Sequence, residues 1–421
     1  MAFTTAAISD ILKIDYQGPV REQLNNSTVL YKQLKKNTED FIGSTARIPL
    51  HTGRNVGLGS RIESDSKGLP TAGNQQYSAA LYDVKLLYGA IELSGLAKER
   101  SKNNTGSFVR ALDSEMKGLM TDLKCDINRQ LWHDGSSSLT QMNDAATTAA
   151  FTVQSTKFLK VGQRVQIFSS AGTEKTSGAV TIATITSATA GTLSTTTSVR
   201  TATDIMILYG SRQSGTWGVH QELWGLEALI SDANPGTSSG ITDLVGTLTR
   251  TGTVQWDANV LDNSGTNRDL TLDLLQQAYD VTEIESDEVP GLILANHAIK
   301  RRYAALLVAD KRYPPGGDIT LDGGYKALEF NGTPLVADKD ASLSLGTNNS
   351  LNRIYFLTMS SLEMQVLRDW GWLDEDGSVL KMKPATESYA DAWQAYMGAY
   401  LEMGIVRPNA NCVLKDITET A

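Results

Sequence analysis

The chain has 421 residues, 41% of them hydrophobic, which allows roughly two to four compact units with a substantial buried core and excludes a disordered protein. With 38 basic against 47 acidic residues the net charge is −9, so a surface that grips a nucleic-acid backbone by releasing counterions is excluded, and any such contact is expected to be local and weak. Cys125 and Cys412 stand far apart with no Cys/His spacing nearby, the start lacks a basic region leading into an apolar core, and no window of about 18 apolar residues occurs; the sequence therefore predicts a soluble chain without disulfide framework, zinc site, classical signal or membrane span, suited to a reducing compartment.

Residues 1–45 are predicted to form an arm: in PVREQLNNSTVLYKQLKK, Val20, Leu24, Leu30 and Leu34 fall at loose helical spacing among polar residues. RIPLHTG (Arg47 to Gly53) and YSAALYDVKLLYGAIELSG (Tyr77 to Gly95) are predicted strands. Between them, GRNVGLGSRIESDSKGLPTAGNQ carries five glycines, one proline and five charges with no apolar stripe. Residues 46–95 are thus expected to form a long hairpin whose tip has no core of its own, its glycines acting as a hinge. From Ser107 to Asp134, Phe108, Leu112, Met116, Leu119, Leu123, Ile127 and Leu131 recur every three or four residues, with Asn104 or Thr105 as N-cap and Gly135 as stop. This spacing predicts a helix of roughly 40 Å.

Residues 151–208 are dense in Thr, Ser, Val and Ile with glycines at turn-like intervals. They predict a small antiparallel barrel or sandwich of roughly four to six short strands, inserted into the host and supported by it. Farther on, TLDLLQQAYDVTEI and HAIKRRYAALLVAD are predicted helices, the second closed by RYPPGG, and GLILANH is a short buried strand. Asn331-Gly332 between LEF and TPLVAD signals a hairpin, and RIYFLTM and LEMQVL are further strands. In WQAYMGAYLEMGIV the alternate positions Trp393, Ala395, Met397, Ala399, Leu401, Met403 and Ile405 are all apolar, which selects a strand over a helix. The fold class is α+β.

Catalytic signatures are missing from this sequence. GRNVGLGS runs on into another strand without the helix and Gly-Lys-Ser/Thr ending of a phosphate loop. His51, His133, His220 and His297 lack metal-ligand spacing, no G-x-S-x-G elbow occurs, and LDEDGS lacks the rhythm of a calcium loop. The basic residues of IKRRY and DKRY fit a solvated helix face, and the aromatic clusters LWGL and DWGWLDED fit cores or intersubunit seams. No catalytic residue, metal or cofactor is predicted. A well-structured chain with a long unsupported hairpin and arm is one whose work is contact with copies of itself.

In order, the arm, the long hairpin, the long helix and the segments LWGLEALISD, GLILANHAIKRRYAAL, EFNGTPLVAD and AWQAYMGAYLEMGIVRPNANCVLKDI resemble the major capsid protein of tailed bacteriophages, with the Hong-Kong-97-type fold. The likeness is one of architecture and spans most of the chain apart from 151–208. It implies an N-arm at 1–45, an extended E-loop at 46–95, the spine helix and start of the P-domain at 96–150, an inserted all-β domain at 151–208, mainly A-domain at 209–360, and P- and A-domain strands with the C-terminus at 361–421.

The implied function is self-assembly, as pentamers and hexamers, into the icosahedral shell of a virion built in the host bacterial cytoplasm, without enzymatic activity. Besides itself, the implied partners are a separate scaffolding protein, since only about 45 residues precede the hairpin, a portal protein, a decoration protein, and packaged double-stranded DNA touched weakly and non-specifically; no membrane is involved. Arg54, Arg61, Glu63, Asp65 and Lys67 at the E-loop tip would meet partners on adjacent subunits. One branch of the family joins subunits by an isopeptide bond between an E-loop lysine and a P-domain asparagine, and Lys67 with Asn409 or Asn411 are residues of those types here. Two other readings share part of the pattern. A tail-tube or decoration protein would have β-rich segments and arms without needing the long helix, and a β-rich glycan-binding module would explain the Ser/Thr-rich stretch but calls for a signal peptide.

Overall fold

Among the described residues apolar side chains gather in three large cores, the first of them taking in residues of both the five-stranded and the seven-stranded sheet. The structure, a computed structural model, describes residues 28–43, 45–60, 70–95, 105–169, 172–176, 178–197, 199–211, 221–231, 244–250, 256–309, 319–320, 326–341, 353–374, 379, 381–382 and 391–418. Among them no helix is long and apolar enough to cross a membrane.

The first core lies under a five-stranded sheet built around the strand Ala392–Ile405. Its alternation places Ala395, Met397, Ala399, Leu401, Met403 and Ile405 on one face, all at most 1% exposed, as the period of two requires. Leu362–Trp372 and Lys85–Ser94 pair with it antiparallel on its two sides, and Lys35–Asn37 adds in parallel to the outer edge of Leu362–Trp372. The helix Thr105–Trp132 packs along this sheet. Its 28 residues span about 42 Å at 1.5 Å each. Ile127 and Leu131 are buried, whereas Met116, Leu119 and Leu123 are half-buried, so among the described side chains it is those near the C-terminal end that enter the core. The helix comes close to the sheet at Gly89, where a Cβ would sit 2.9 Å from the Cδ1 atoms of Leu119 and Leu123. Beyond its end the chain turns at Gly135, with φ +77.

The expected continuous strand Tyr77–Gly95 is two strands parted at Val84. Gln76–Asp83 pairs with Thr45–Gly53 as a hairpin, whereas Lys85–Ser94 joins the sheet of Ala392–Ile405. Alternation reports extended backbone but not where a strand changes partners, which is why the sequence reads as one piece. The expected helix in the arm is short, Val29–Gln33, and is followed by the strand Lys35–Asn37; the stretch before residue 28, with Val20 and Leu24, lies outside the described residues.

The second core lies against a seven-stranded mixed sheet whose central strands are Cys412–Leu414, Ile354–Leu357, Leu292–Ala295 and Thr333–Ala337. Helices Leu272–Ser286 and His297–Ala309 supply residues to the same core. The first of these is capped by the Thr271 side chain, which accepts the Leu274 N–H, and stops at left-handed Asp287. Asn331 and Gly332, at φ +47 and +79, turn the expected hairpin.

Six short strands between Ser138 and Leu208 form the third unit. Its strands run in the order Ser138–Gln141, Ile205–Leu208, Arg164–Phe168, Val180–Ser187, Ala190–Leu193, Ala150–Thr152. The two end strands meet through the Met142–Val153 bridge and the hydrogen bonds Asn143 N–H to Thr152 O and Gln154 N–H to Gln141 O, so the sheet closes into a barrel without free edges. Its interior includes Met142, Phe151, Val153, Ile167, Ile182 and Met206. Arg200, fully buried, ties the Asp144–Ala150 loop to it, with Asp144 Oδ2 and Ala150 O each 2.7 Å from Nη2 and Thr148 O 2.9 Å from Nη1.

Candidate assembly surfaces

The hairpin is buried at its root, and among its described residues exposure rises farther out. Ala46, Ile48, Ala80 and Tyr82 belong to the first core, at 5% exposure or less. The Tyr82 hydroxyl donates to Ile405 O at 2.8 Å and accepts the Ile405 N–H at 3.2 Å, and its ring lies on Gly404. Burial raises its pKa, so the phenol stays protonated. On the other side, Gly246 sits at φ +56 with its carbonyl accepting the Leu81 N–H, and a Cβ there would approach Ala80 to 2.8 Å.

Farther out, Tyr77 is 75% and Val56 and Leu58 are each 84% exposed. Asn55 holds the two arms together past the strand ends, donating from Nδ2 to Gly73 O at 2.8 Å and accepting the Gly57 N–H at 2.7 Å. A Cβ on Gly57 would lie 2.7 Å from Gly73 N, and one on Gly73 would lie 2.8 Å from Gly57 N. These two glycines therefore serve close approach of the arms. Of the expected tip charges, Arg54 is exposed at the end of the strand; Arg61, Glu63, Asp65 and Lys67 lie outside the described residues.

Asn409 and Asn411 are placed very differently from exposed loop residues. Asn411 is fully buried: its Nδ2 donates to Ser361 Oγ at 2.7 Å and Arg407 O at 3.1 Å, and its Oδ1 accepts the Thr358 N–H. That amide is committed within its own chain. Asn409 is 8% exposed and donates to Glu285 O, while its Oδ1 has no partner. It borders a cleft of about 610 Å³ between residues Pro49–Arg54 of the hairpin and Val406–Arg407.

The face of the five-stranded sheet opposite Ala395 to Ile405 is open at one end. Tyr88 and Tyr396 are exposed there, and Tyr88 meets Tyr400 edge-on at 6.3 Å with Arg368 over the Tyr400 ring. At its other end the same face is covered by the hairpin root and by Trp224, whose N–H reaches Glu402 Oε1 at 2.9 Å. Glu402 is 2% exposed and burial lifts its carboxyl to about 8. Burial, helped by Glu227, likewise raises Asp134 to about 6. Neither residue carried a sequence signal, because their burial depends on segments distant in the chain.

Among the described residues no cluster of His, Cys, Asp and Glu suits a metal ion. His51 is on the exposed hairpin against Tyr77 and Gln75. His133 is buried against Phe158, with its pKa held well below the usual range by burial and then by Arg129. Its polar neighbours serve packing: Arg129 bonds Glu222 at 2.7 Å and Asp126 at 2.9 Å, and Asn128 donates to Asp338 and Asp340.

Among the described residues, then, a sheet-and-helix body holds a hairpin at its root, with Val56, Leu58 and Tyr77 exposed farther out. Along 99% of its length the chain superposes on all of the chain from the capsid asymmetric unit of cyanophage A-1(L), at a TM-score of 0.55 and 13% identity. It has the fold of a tailed-phage major capsid protein. That fold is shared with the encapsulin of the holo-SrpI complex of Synechococcus elongatus, at a TM-score of 0.51 and 9% identity, covering 100% of this chain and 98% of that one. It is shared also with the capsid chain of a native GTA particle, at 0.50 and 9%, covering 99% and 100%. No protein-family profile matches the sequence, and no curated protein matches it.

Proposed function

We propose that the chain is the major capsid protein of a tailed bacteriophage, a structural protein that assembles with copies of itself into the icosahedral shell around packaged double-stranded DNA. The observation that carries this reading is the end-to-end likeness to shell subunits, together with a hairpin whose root is in the core while Val56, Leu58 and Tyr77 face solvent. In this reading the hairpin is the E-loop, Thr105–Trp132 the spine helix, the five-stranded sheet the P-domain, the seven-stranded sheet with its two helices the A-domain, and the barrel an inserted domain on that frame. The proposed partners are a scaffolding protein, a portal protein and a decoration protein, in the virion and during assembly in the host cytoplasm. DNA is confined by an acidic wall and not gripped, in keeping with the net charge of −9.

Arg54, Arg61, Glu63, Asp65 and Lys67 are proposed to set register against adjacent subunits through charge complementarity. For a covalent Lys67 crosslink Asn409, whose amide donates only to Glu285 O, is the less engaged of the two proposed asparagines, since Asn411 is held by Ser361, Arg407 and Thr358. Denaturing electrophoresis of particles tests the bond: ladders above the monomer mass support it, and monomer alone eliminates it. Replacing Arg61 and Glu63 together by alanine tests the wider reading. Sedimentation is expected to show unassembled subunits of unchanged circular dichroism, and normal large particles would count against it.

A further inference from the structure

Beneath the hairpin root a carboxyl and an amide are paired across two strands. Glu402 and Gln365 stand directly opposite each other on the antiparallel strands Ala392–Ile405 and Leu362–Trp372, a register that sets their Cβ atoms about 4.5–5.5 Å apart. Both are buried, Gln365 completely. The hairpin roofs the same face, since a Cβ on Gly404 would lie 3.3 Å from the Tyr82 ring and 3.4 Å from Gln365 Cγ.

The amide of Gln365 is oriented by Glu363, whose Oε2 accepts its Nε2 at 3.4 Å and Asn37 Nδ2 at 2.7 Å. Turned the other way, the amide oxygen would face that carboxylate. Gln365 Oε1 is therefore a buried acceptor, and it has no donor among the described residues. On the opposite side chain, Glu402 Oε1 accepts the N–H groups of both Trp224 and Met403 at 2.9 Å, which assigns any proton on this carboxyl to Oε2.

We infer that Glu402 is a neutral carboxylic acid whose Oε2–H donates to Gln365 Oε1, and that this proton is a catch holding the hairpin root closed on the sheet. Its loss leaves two acceptors facing each other out of water, a conflict relieved when the root lifts and admits solvent. The charged and titratable groups around it are Asp83 and Lys85, on either side of Val84; Glu363 on the neighbouring strand; Glu222, bound to Arg129 beside Trp224; and Tyr82 with Arg250. Burial outweighs the pull of Lys85 and keeps the carboxyl protonated up to about 8, with Asp83 adding to the effect. In a lifted root the solvated carboxyl releases its proton near the ordinary value of about 4.3. Opening is thus favoured about tenfold with each pH unit between these values and levels off above them. The catch belongs to the single chain, so its test is independent of assembly.

Infrared spectra of the full chain at neutral pH are expected to contain the C=O stretch of a protonated carboxyl that Glu402→Gln removes. Gln365→Met, or Gln365→Asn, whose shorter side chain draws the amide away, is expected to move that band to higher frequency. No band that depends on Glu402, or a band unmoved by the Gln365 variants, overturns the bond. Hydrogen exchange at residues 76–83 reads the catch. Dividing the wild-type rate by that of Glu402→Gln at the same pH cancels the chemistry of exchange, because the glutamine Nε2 is a donor at every pH. This ratio is expected to rise about tenfold per unit from pH 5 to 8 and then hold constant, and a ratio that stays flat overturns the catch.

Discussion

Replacing Tyr82 by phenylalanine isolates the latch at the hairpin root. The strand Lys85–Ser94 covers one side of Ala392–Ile405 only as far as the pair Lys85–Leu401, so the backbone of Ile405 has no strand neighbour on that side. The Tyr82 hydroxyl takes the neighbour's place, donating to Ile405 O and accepting the Ile405 N–H. Phenylalanine keeps the ring on Gly404 and leaves that carbonyl and that N–H buried without partners. Two lost bonds at about 1 kcal/mol each give about 2 kcal/mol, with about 1–3 kcal/mol for each stranded group as the upper range. Hydrogen exchange is the suitable assay because it reads the latch strands separately from the other cores. Exchange at residues 76–83 and 402–405 is expected to quicken by about 30-fold, the equivalent of 2 kcal/mol, with the barrel unchanged. Unchanged protection at 76–83 would refute the latch, and equal quickening in the barrel would refute its local character.

Glu402 titrates at about 8 when folded, against about 4.3 in an unfolded chain, so between these values the folded protein keeps a proton that the unfolded one has released. Stability is therefore greatest on the acid side of this window and falls by about 1.4 kcal/mol per pH unit as pH rises through it. Glu402→Gln, whose amide oxygen can still accept the Trp224 N–H, is expected to lose that decline in urea midpoints measured at pH 5, 6.5 and 8; parallel curves would contradict the burial argument. Arg200→Met strands Asp144 and the Thr148 and Ala150 carbonyls, at about 3–5 kcal/mol. Residues 138–208 contain no tryptophan, so fast exchange in the barrel with unchanged tryptophan emission is expected, and a loss of emission would contradict the barrel's independence. Gly225→Ala puts a Cβ 2.2 Å from His133 O and 2.5 Å from Gln130 O, backbone atoms that cannot turn aside, and is expected to cost about 3 kcal/mol or more; a wild-type urea midpoint would show that the helix end yields.

Local pattern carried much of the fold. The three-to-four spacing from Phe108 to Leu131 marks the long helix, the strict alternation from Trp393 to Ile405 marks the central strand, and Asn331-Gly332 marks its hairpin. What stayed hidden depends on partners distant in sequence. Val84 divides two strands because 76–83 and 85–94 pair with different regions, a choice that alternation cannot encode. Glu402 sits at an outward position of its strand by alternation yet is buried, because the hairpin root and Trp224 cover that end of the sheet. Gly57 and Gly73 read as a hinge in isolation, whereas the pairing of the arms brings them together as a contact. Asn411 resembles any loop asparagine until Ser361 and Thr358 arrive from 50 residues away.

Electron microscopy of the purified protein, alone and with a scaffolding partner, decides whether copies of this chain close into a shell: closed particles of uniform size and icosahedral symmetry are expected, and tubes, open sheets or monomers under both conditions would contradict the proposed function.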